Sequence, residues 1–363
     1  MKIVNVPLKS HSYKIVIGPN ILPQLGSQLK RLKIGQDAVI ITNPIVKKYY
    51  GGLISSNLKR QGFSVKFLTV PDGEQSKSVK VAHDLLGQMA HYDVLKKVFI
   101  VALGGGVIGD LAGYVASVYK RGVPYVQVPT SFLAQIDSAI GGKVAVDLPV
   151  GKNLVGAYYQ PKMVYSDVRV LSTLDERQLR NGLAEVVKYG VIYDRNFFNY
   201  VQKRYKQVLS GDPQVLTEIV LRCSRIKAQV VSRDEKETRG IRTILNFGHT
   251  VGHAIEAAGG FSRYQHGEAI ALGMRVACEI SRRLEMITQA QVDTIQQLLT
   301  DIGLPRKIKK IQLNKILRLM QHDKKFIRGK NRFVLALQIG KVKVVEGVPL
   351  RLIQGALKQF MDT

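Results

Sequence analysis

KVFIVALGGGVIGDLAGYVASVY, residues 97–119, decides the fold. Lys97–Leu103 reads as an apolar strand, uninterrupted from Val98 on, the pattern of a strand covered on both faces of a parallel sheet. Glycines follow at once in GGGVIGD (Gly104–Asp110), and LAGYVASVY then reads as a helix. Gly104, Gly106 and Gly109 fit GxGxxG, which lets backbone N–H groups and a helix N-terminus approach a pyrophosphate. The fingerprint is incomplete. The acid expected about 20 residues on for a ribose is missing, because that region reads QVPTSF. The motif also follows several αβ units instead of opening the domain. The same glycines suit tight packing of a helix on a sheet, and both readings stay open. A dinucleotide would need polar help from elsewhere.

Toward the N-terminus the rhythm is that of alternating strands and helices. IVNVPL and YKIVIG read as a hairpin, DAVIITN as a buried strand, VKKYYGGLISSNLKRQG as a helix and SVKFLTV as another strand. PDGEQSK (Pro71–Lys77) is a turn-rich loop beyond a strand's carboxyl end, where α/β folds bind ligands. Toward the C-terminus, strand Tyr125–Val128 delivers Pro129, Thr130 and Ser131. LAQIDSAIGGKVAVDLPVGKNLVGAYYQP then reads as polar, Gly-rich loop carrying Asp137, Lys143, Lys152 and Asn153. Its lysines beside glycines suit a phosphate or a nicotinamide cofactor, or else simple solvation.

Near residue 170 the patterning becomes helical, with Thr173 and Glu176 expected to form a capping box. Helices are expected to about residue 323, then a short β excursion, RFVLALQIGKVKVVEGV, and a closing helix. The expected fold is an α/β, Rossmann-like N-terminal domain (1–169) joined to a mainly α-helical C-terminal domain (170–363), with the active site in the cleft between them.

The 363 residues suffice for two ordinary domains, and 45% hydrophobic with 22% charged residues exclude global disorder. No apolar run reaches the roughly 18 residues a membrane span needs, and the N-terminus lacks a signal-peptide pattern, so a cytoplasmic location without membrane partners is expected. The two cysteines, Cys223 and Cys278, form no CxxC pair, so any metal must use His and carboxylates. The net charge of +27 raises nucleic acid as a partner. The excess is spread, however: residues 1–169 hold 21 Lys and Arg against 9 Asp and Glu, and residues 170–363 hold 33 against 18. Without a binding motif or aromatic interleaving, no nucleic acid is expected, and an anionic substrate explains the charge as well.

Three of the seven histidines, His249, His253 and His266, fall in NFGHTVGHAIEAAGGFSRYQHGEAIALGM (Asn246–Met274), together with Glu256 and Glu268. His249 and His253 share a helix face, and with a third imidazole nearby they suit a divalent metal.

In order along the chain, PDGEQSK, GGGVIGD, LAQIDSAIGGKVAVD, GKNLVGAYYQP, NGLAEVVKYG, LNFGHTVGHAIE and HGEAIALGM resemble the 3-dehydroquinate synthase family, within the sugar phosphate cyclases. The resemblance covers the whole chain in outline. It implies an enzyme, a lyase of the shikimate pathway of aromatic amino acid biosynthesis, that binds NAD and a divalent metal, usually zinc with cobalt an alternative. Its substrate would be 3-deoxy-D-arabino-heptulosonate 7-phosphate and its product 3-dehydroquinate, in a homodimer. The implied metal ligands are Glu185, His249 and His266, which moves His253 to the substrate side. The implied catalytic and substrate contacts are Asp137, Lys143, Asn153, Lys188, Lys227, Arg242, Asn246, His253 and Lys324, with Arg121 on the phosphate. The implied NAD contacts are Asp72, Gly73, Glu74, Gln75, Ser76 and Lys77; Gly105, Gly106, Val107, Ile108, Gly109 and Asp110; Thr130, Ser131, Lys143 and Lys152; and the turn Val170, Leu171, Ser172 and Thr173. Against the family's usual pattern Ser131 replaces a Thr but keeps the hydroxyl, while Asp175 replaces a common Pro and Asp147 a frequent Asn, two changes that could tune cofactor affinity.

Three rivals remain: another sugar phosphate cyclase, a metal- and NAD-dependent polyol dehydrogenase that would release NADH, and a basic binding protein without catalysis. The last would show a salt-sensitive nucleic-acid interaction.

Overall fold

The computed structural model describes residues 1–321 and 331–362, so Lys324 and the expected helix end near 323 lie outside the described residues. The chain forms two compact units, Met1–Leu174 with Pro213–Lys236, and Asp175–Asp212 with Glu237–Thr363. Each therefore consists of two segments, where the sequence reading divides the chain once at 169/170. The physical reason is helix Pro213–Arg233, which packs on the first two strands of the N-terminal sheet.

The first unit contains strands β1 (Lys2–Val6), β2 (Tyr13–Gly18), β3 (Asp37–Thr42), β4 (Ser64–Thr69), β5 (Val98–Gly104), β6 (Tyr125–Pro129), β7 (Lys143–Leu148), β8 (Gly151–Tyr158) and β9 (Met163–Asp167). Seven form one sheet in the order β1-β2-β9-β6-β5-β3-β4. β1 and β2 are the expected antiparallel hairpin, with Lys2 opposite Ile17 and Val6 opposite Tyr13. The other neighbours are parallel. β5 is buried at every position, as its unbroken apolar run requires, whereas the edge strand β4 is largely uncovered. The chain leaves β3 for β4 and returns on β3's other side as β5. That reversal makes the carboxyl ends of β3 and β5 the sheet's topological switch point.

Helix Gly106–Val118 starts inside the glycine motif, five residues before the helix read from the sequence. It buries Ile108, Leu111, Ala112, Val115 and Ala116. A Cβ at Gly109 would lie 2.8 Å from Gln127 Oε1 on β6, so this glycine serves helix-on-sheet packing. The packing reading and the ligand reading thus divide the motif between its end and its beginning.

The Gly-rich stretch after β6 is not the loop expected from its composition. One wide helical turn, Ala134–Ser138, leads into the antiparallel hairpin β7–β8. KVAVDL alternates with period two, and its Val144 and Val146 are buried in the core. The capping box expected at Thr173 also gives way. Thr173 lies in the turn Val168–Thr173 with its hydroxyl donating to Val170 O, and Asp175 caps the next helix by accepting from Gln178 N at 2.8 Å. An aspartate is as good a cap as a threonine, and it stands where the backbone turns into the helix.

The second unit is built mainly from helices Glu176–Tyr193, Arg195–Leu209, His249–Ala258, His266–Arg283, Gln289–Asp301, Leu313–Gln321 and Leu350–Phe360. The expected β excursion is the hairpin β10 (Arg332–Gln338) and β11 (Lys341–Glu346). Among the described residues no helix is long and apolar enough to cross a membrane.

Candidate active site and metal cage

Three helices of the second unit meet at one carboxylate. Helix Glu176–Tyr193 is buried along most of its length and presents Glu185, which is 0% exposed. Close approach of the neighbouring helices requires glycine. A Cβ at Gly267 would overlap the Asn181 carbonyl and lie 2.7 Å from Asn181 Oδ1, while one at Gly273 would strike Gly248 and lie 2.8 Å from Gly252 N. These contacts bring His249 and His266, the first residues of their helices, over Glu185. His249 Nε2 and His266 Nε2 each lie 3.4 Å from Glu185 Oε1. Lys188, one turn on, closes on the other oxygen, Oε2.

The donor atoms of Glu185, His249 and His266 all lie within 4.8 Å of one another. Among the described residues neither Glu185 oxygen accepts a well-aligned hydrogen bond, although both are enclosed. Donors about 2.1 Å from one tetrahedral ion stand about 3.4 Å apart. The set therefore fits a divalent ion of zinc's size, with positions left for substrate oxygens. A second triad, His253, Glu256 and His266, also lies within 4.8 Å. His266 Nδ1 is 3.2 Å from Glu256 Oε2, and His249 Nδ1 is 3.1 Å from Phe247 O.

Charge in the cage is tightly coupled. Burial would push the Glu185 carboxyl up, but Lys188 and His266 beside it hold it down to about 2. Burial would pull the His266 imidazole down, but Glu185 and Glu256 raise it to about 10.

His253 stands exposed beside this group, its ring centroid 5.1 Å from that of His249 and 6.0 Å from that of His266. Arg242 is buried and Asn246 partly so, both on the turn Ile241–Asn246 that leads into helix His249–Ala258. Glu268 belongs to the framework, since it completes a capping box with Gln265 and receives a two-pronged bond from Arg177 at 2.7 and 2.9 Å.

In the first unit, the residues assigned to a cofactor follow the carboxyl ends of successive parallel strands: Asp72–Lys77 after β4, Gly105–Asp110 after β5, Thr130 and Ser131 after β6, and Val170–Thr173 after β9. Helix Gly106–Val118 opens at Gly105, whose added Cβ would lie 3.2 Å from Ser131 Oγ. The first N–H groups of that helix have no intrahelical acceptor, which suits an anion there. Lys77, nearly buried, donates to Asp110 Oδ2 at 2.5 Å and also to Asn153. Burial pushes the Asp110 carboxyl up, against the pull of Lys77. Asn153 N donates to Asp147 at 2.7 Å, and Lys152 reaches Glu74 at 3.1 Å, so hairpin β7–β8 is tied to the Asp72–Lys77 loop. Lys227, from helix Pro213–Arg233, donates to the Asp137 carbonyl at 2.8 Å and to its carboxylate, while Lys143 opens β7 in an exposed position.

Arg121 is not brought to this group. It follows the last turn of helix Gly106–Val118, about 20 Å of helix away from the glycines, on the opposite edge of the sheet.

Sequence reasoning missed several neighbours. Asn43, just past the end of β3, donates to Asp72 Oδ1 at 2.5 Å on the β4 side. Tyr50 donates to Val170 O at 3.0 Å and pairs with the Thr173 hydroxyl. Ser138 would meet a Cβ at Gly106 at 3.0 Å. Glu256 carried a readable signal, since it is seven residues past His249 and so on the same helix face.

The first unit thus presents loops at the carboxyl edge of a parallel sheet, and the second a Glu–His–His group that could hold a divalent metal. The chain superposes on 2-deoxy-scyllo-inosose synthase complexed with carbaglucose-6-phosphate, NAD+ and Co2+ with a TM-score of 0.91 at 27% identity, over 99% of this chain and 100% of that one. NADH-dependent butanol dehydrogenase A of Thermotoga maritima, at 13% identity and a TM-score of 0.71 over 100% of this chain and 98% of that one, shares the fold alone. The 3-dehydroquinate synthase N-terminal family matches residues 67–181, and the C-terminal family matches residues 182–326. The 3-dehydroquinate synthase of Desulforamulus reducens is 42% identical over 96% of this chain and 97% of that relative. The chain belongs to the 3-dehydroquinate synthase family.

Proposed function

We propose that this enzyme binds NAD and one divalent metal ion, zinc by preference, and converts 3-deoxy-D-arabino-heptulosonate 7-phosphate into 3-dehydroquinate and phosphate. The observation that carries the metal reading is the single buried Glu185 oxygen with two imidazole Nε2 atoms 3.4 Å from it. When bound, NAD supplies a reversible hydride acceptor and the metal a Lewis acid that lowers the pKa of a substrate hydroxyl.

The chain's own residues account for the rest. Oxidation of the C5 alcohol would acidify the C6 proton, which the substrate's own phosphate would take as it leaves by β-elimination; reduction of the ketone, ring opening and aldol closure follow. Lys188 holds one Glu185 oxygen, so the other faces the ligands. Arg242, Lys188, Lys227 and Lys143 supply the cations that a substrate bearing a carboxylate and a phosphate needs. Asn246, Asn153 and Asp137 orient its hydroxyls. His253, at the cage's exposed rim, offers an imidazole proton to the substrate instead of a lone pair to the metal. Asp72–Lys77, Gly105–Asp110, Thr130, Ser131, Lys152 and Val170–Thr173 hold NAD at the carboxyl edge of the sheet. Lys324 keeps its assignment from the motif.

We place the enzyme in the cytoplasm as a homodimer, in keeping with a biosynthetic family. Arg121, at the far edge of its own sheet, suits a phosphate delivered to a second copy of the chain.

The test incubates the protein with the heptulosonate phosphate, trace NAD+ and zinc, and follows phosphate and 3-dehydroquinate. Phosphate without a carbocyclic product, or no release, sinks the assignment. His266→Ala should lose metal and activity, whereas His253→Ala should keep metal and lose rate. Loss of metal from the second variant would overturn the ligand set.

A further inference from the structure

Each imidazole of the cage has its second ring nitrogen committed to an acceptor. His249 Nδ1 lies 3.1 Å from the Phe247 carbonyl oxygen and His266 Nδ1 lies 3.2 Å from Glu256 Oε2. Neither a carbonyl nor a carboxylate can donate. Both rings therefore carry a proton on Nδ1 when neutral, and both Nε2 lone pairs point toward Glu185 Oε1. His249 owes its tautomer to the backbone of its own turn. His266 owes its tautomer to one side chain on a neighbouring helix.

A carboxylate is costly at the place of Glu256. It is 8% exposed, and it sits two residues before the end of helix His249–Ala258. Burying a carboxylate is unfavourable, and the negative end of a helix is the wrong end for an anion. Packing would be served better by an apolar residue. Nor can Glu256 share the caged ion through His266, because it faces the nitrogen on the other side of the ring.

We infer that Glu256 is a positioning residue of the metal cage: it holds His266 in the Nδ1–H form, turns Nε2 toward Glu185, and so tightens the hold on the ion. The carboxylate also makes His266 a stronger donor than His249, whose partner is a neutral carbonyl. The inference rests on the metal reading above.

The experiment strips the protein of metal, restores zinc, and measures its Kd against a chromophoric chelator for wild type, Glu256→Gln, Glu256→Leu and His249→Ala. Circular dichroism checks the fold, and nitrogen-edited proton NMR of the zinc-loaded protein watches the His266 Nδ1–H. Glu256→Leu should weaken zinc about 10- to 100-fold and lose the Nδ1–H signal to solvent exchange. In Glu256→Gln the amide oxygen still accepts, so the signal should persist and the loss should stay below about tenfold. Where Glu256→Leu does not fold, Glu256→Gln decides alone by those two readings. Wild-type affinity with an unchanged Nδ1–H signal in Glu256→Leu overturns the inference. So does a Glu256→Gln protein that loses zinc as fully as His249→Ala, since Glu256 would then be a ligand. A wild-type protein that binds no zinc sinks the metal reading itself, and the inference with it.

Discussion

Gly267→Ala tests whether helix proximity builds the cage. The added Cβ would lie 2.7 Å from Asn181 Oδ1 and 2.8 Å from the Asn181 carbonyl carbon, against 3.4 Å or more for an ordinary contact, with the carbonyl oxygen closer still. Backbone cannot swing aside as a side chain would. Helix His266–Arg283 must therefore back away from helix Glu176–Tyr193 by roughly 1 Å, a misfit of the kind that costs about 1–3 kcal/mol. His266 begins the displaced helix and Glu185 belongs to the other, so their 3.4 Å separation opens with it. A roughly 1 Å misplacement of a working group can cost about 100-fold in rate. Thermal unfolding, zinc competition and product formation on the variant supply the three readings. The expected result is a folded, less stable protein with weakened zinc binding and activity reduced on the order of 100-fold. Unchanged zinc affinity with full activity would refute the claim that this contact sets the cage.

Gly52→Ala is the matching control. Gly52 is exposed in helix Gly52–Arg60 and its Cβ would meet nothing within 4 Å, so alanine should stabilise by about 0.5–1 kcal/mol, read by denaturant unfolding. Glu268→Gln should destabilise the protein near neutral pH by about 0.5–1 kcal/mol, a figure kept low because Arg177 is 55% exposed. Burial pushes the Glu268 carboxyl up, but Arg177 and the Gln265 N–H leave it below its ordinary 4.5. Its contribution is therefore full above pH 4.5 and fades as pH falls through the lower, folded value. Wild type and variant should converge in stability under acid, and a constant gap down to acid unfolding would contradict this. In the metal-free protein His266 is protonated at neutral pH, being raised to about 10. Zinc uptake near neutrality should therefore release about one proton, seen by calorimetry in buffers of different ionisation enthalpy; heats independent of the buffer would refute it.

The pieces most legible in the sequence were those whose chemistry repeats over neighbouring residues. The run Val98–Leu103 reads as a buried strand because every residue in it is apolar, and the β1–β2 hairpin because both arms alternate. Hairpin β7–β8 was obscured by the glycines and Pro149 around it, although Val144 and Val146 kept the strand period. The N-cap at Asp175 was overlooked because Thr173 with Glu176 also satisfies the spacing rule, and only backbone geometry separates the two. Glu185, His249 and His266 come from three helices, so no spacing could join them; the motif resemblance nominated them. His249 and His253 form the pair that spacing alone favours, yet only His249 faces Glu185. Asn43 was invisible because its partner, Asp72, stands on another loop.

The return of helix Pro213–Arg233 to the first sheet bears on how the protein is made. This helix buries Val215, Leu216, Ile219, Val220, Cys223, Ile226 and Val230, and it packs on β1 and β2. Strands β1 and β2 thus wait for a helix that begins at Pro213, far downstream in the chain. At about 5–20 residues per second of synthesis, the interval between Leu174 and Lys236 lasts several seconds, during which the face of β1 and β2 stays uncovered. A fragment ending at Leu174 should be sticky, and one reaching Lys236 should be markedly more soluble. Chaperone demand on this chain should fall when that helix emerges, not when the sheet itself is complete.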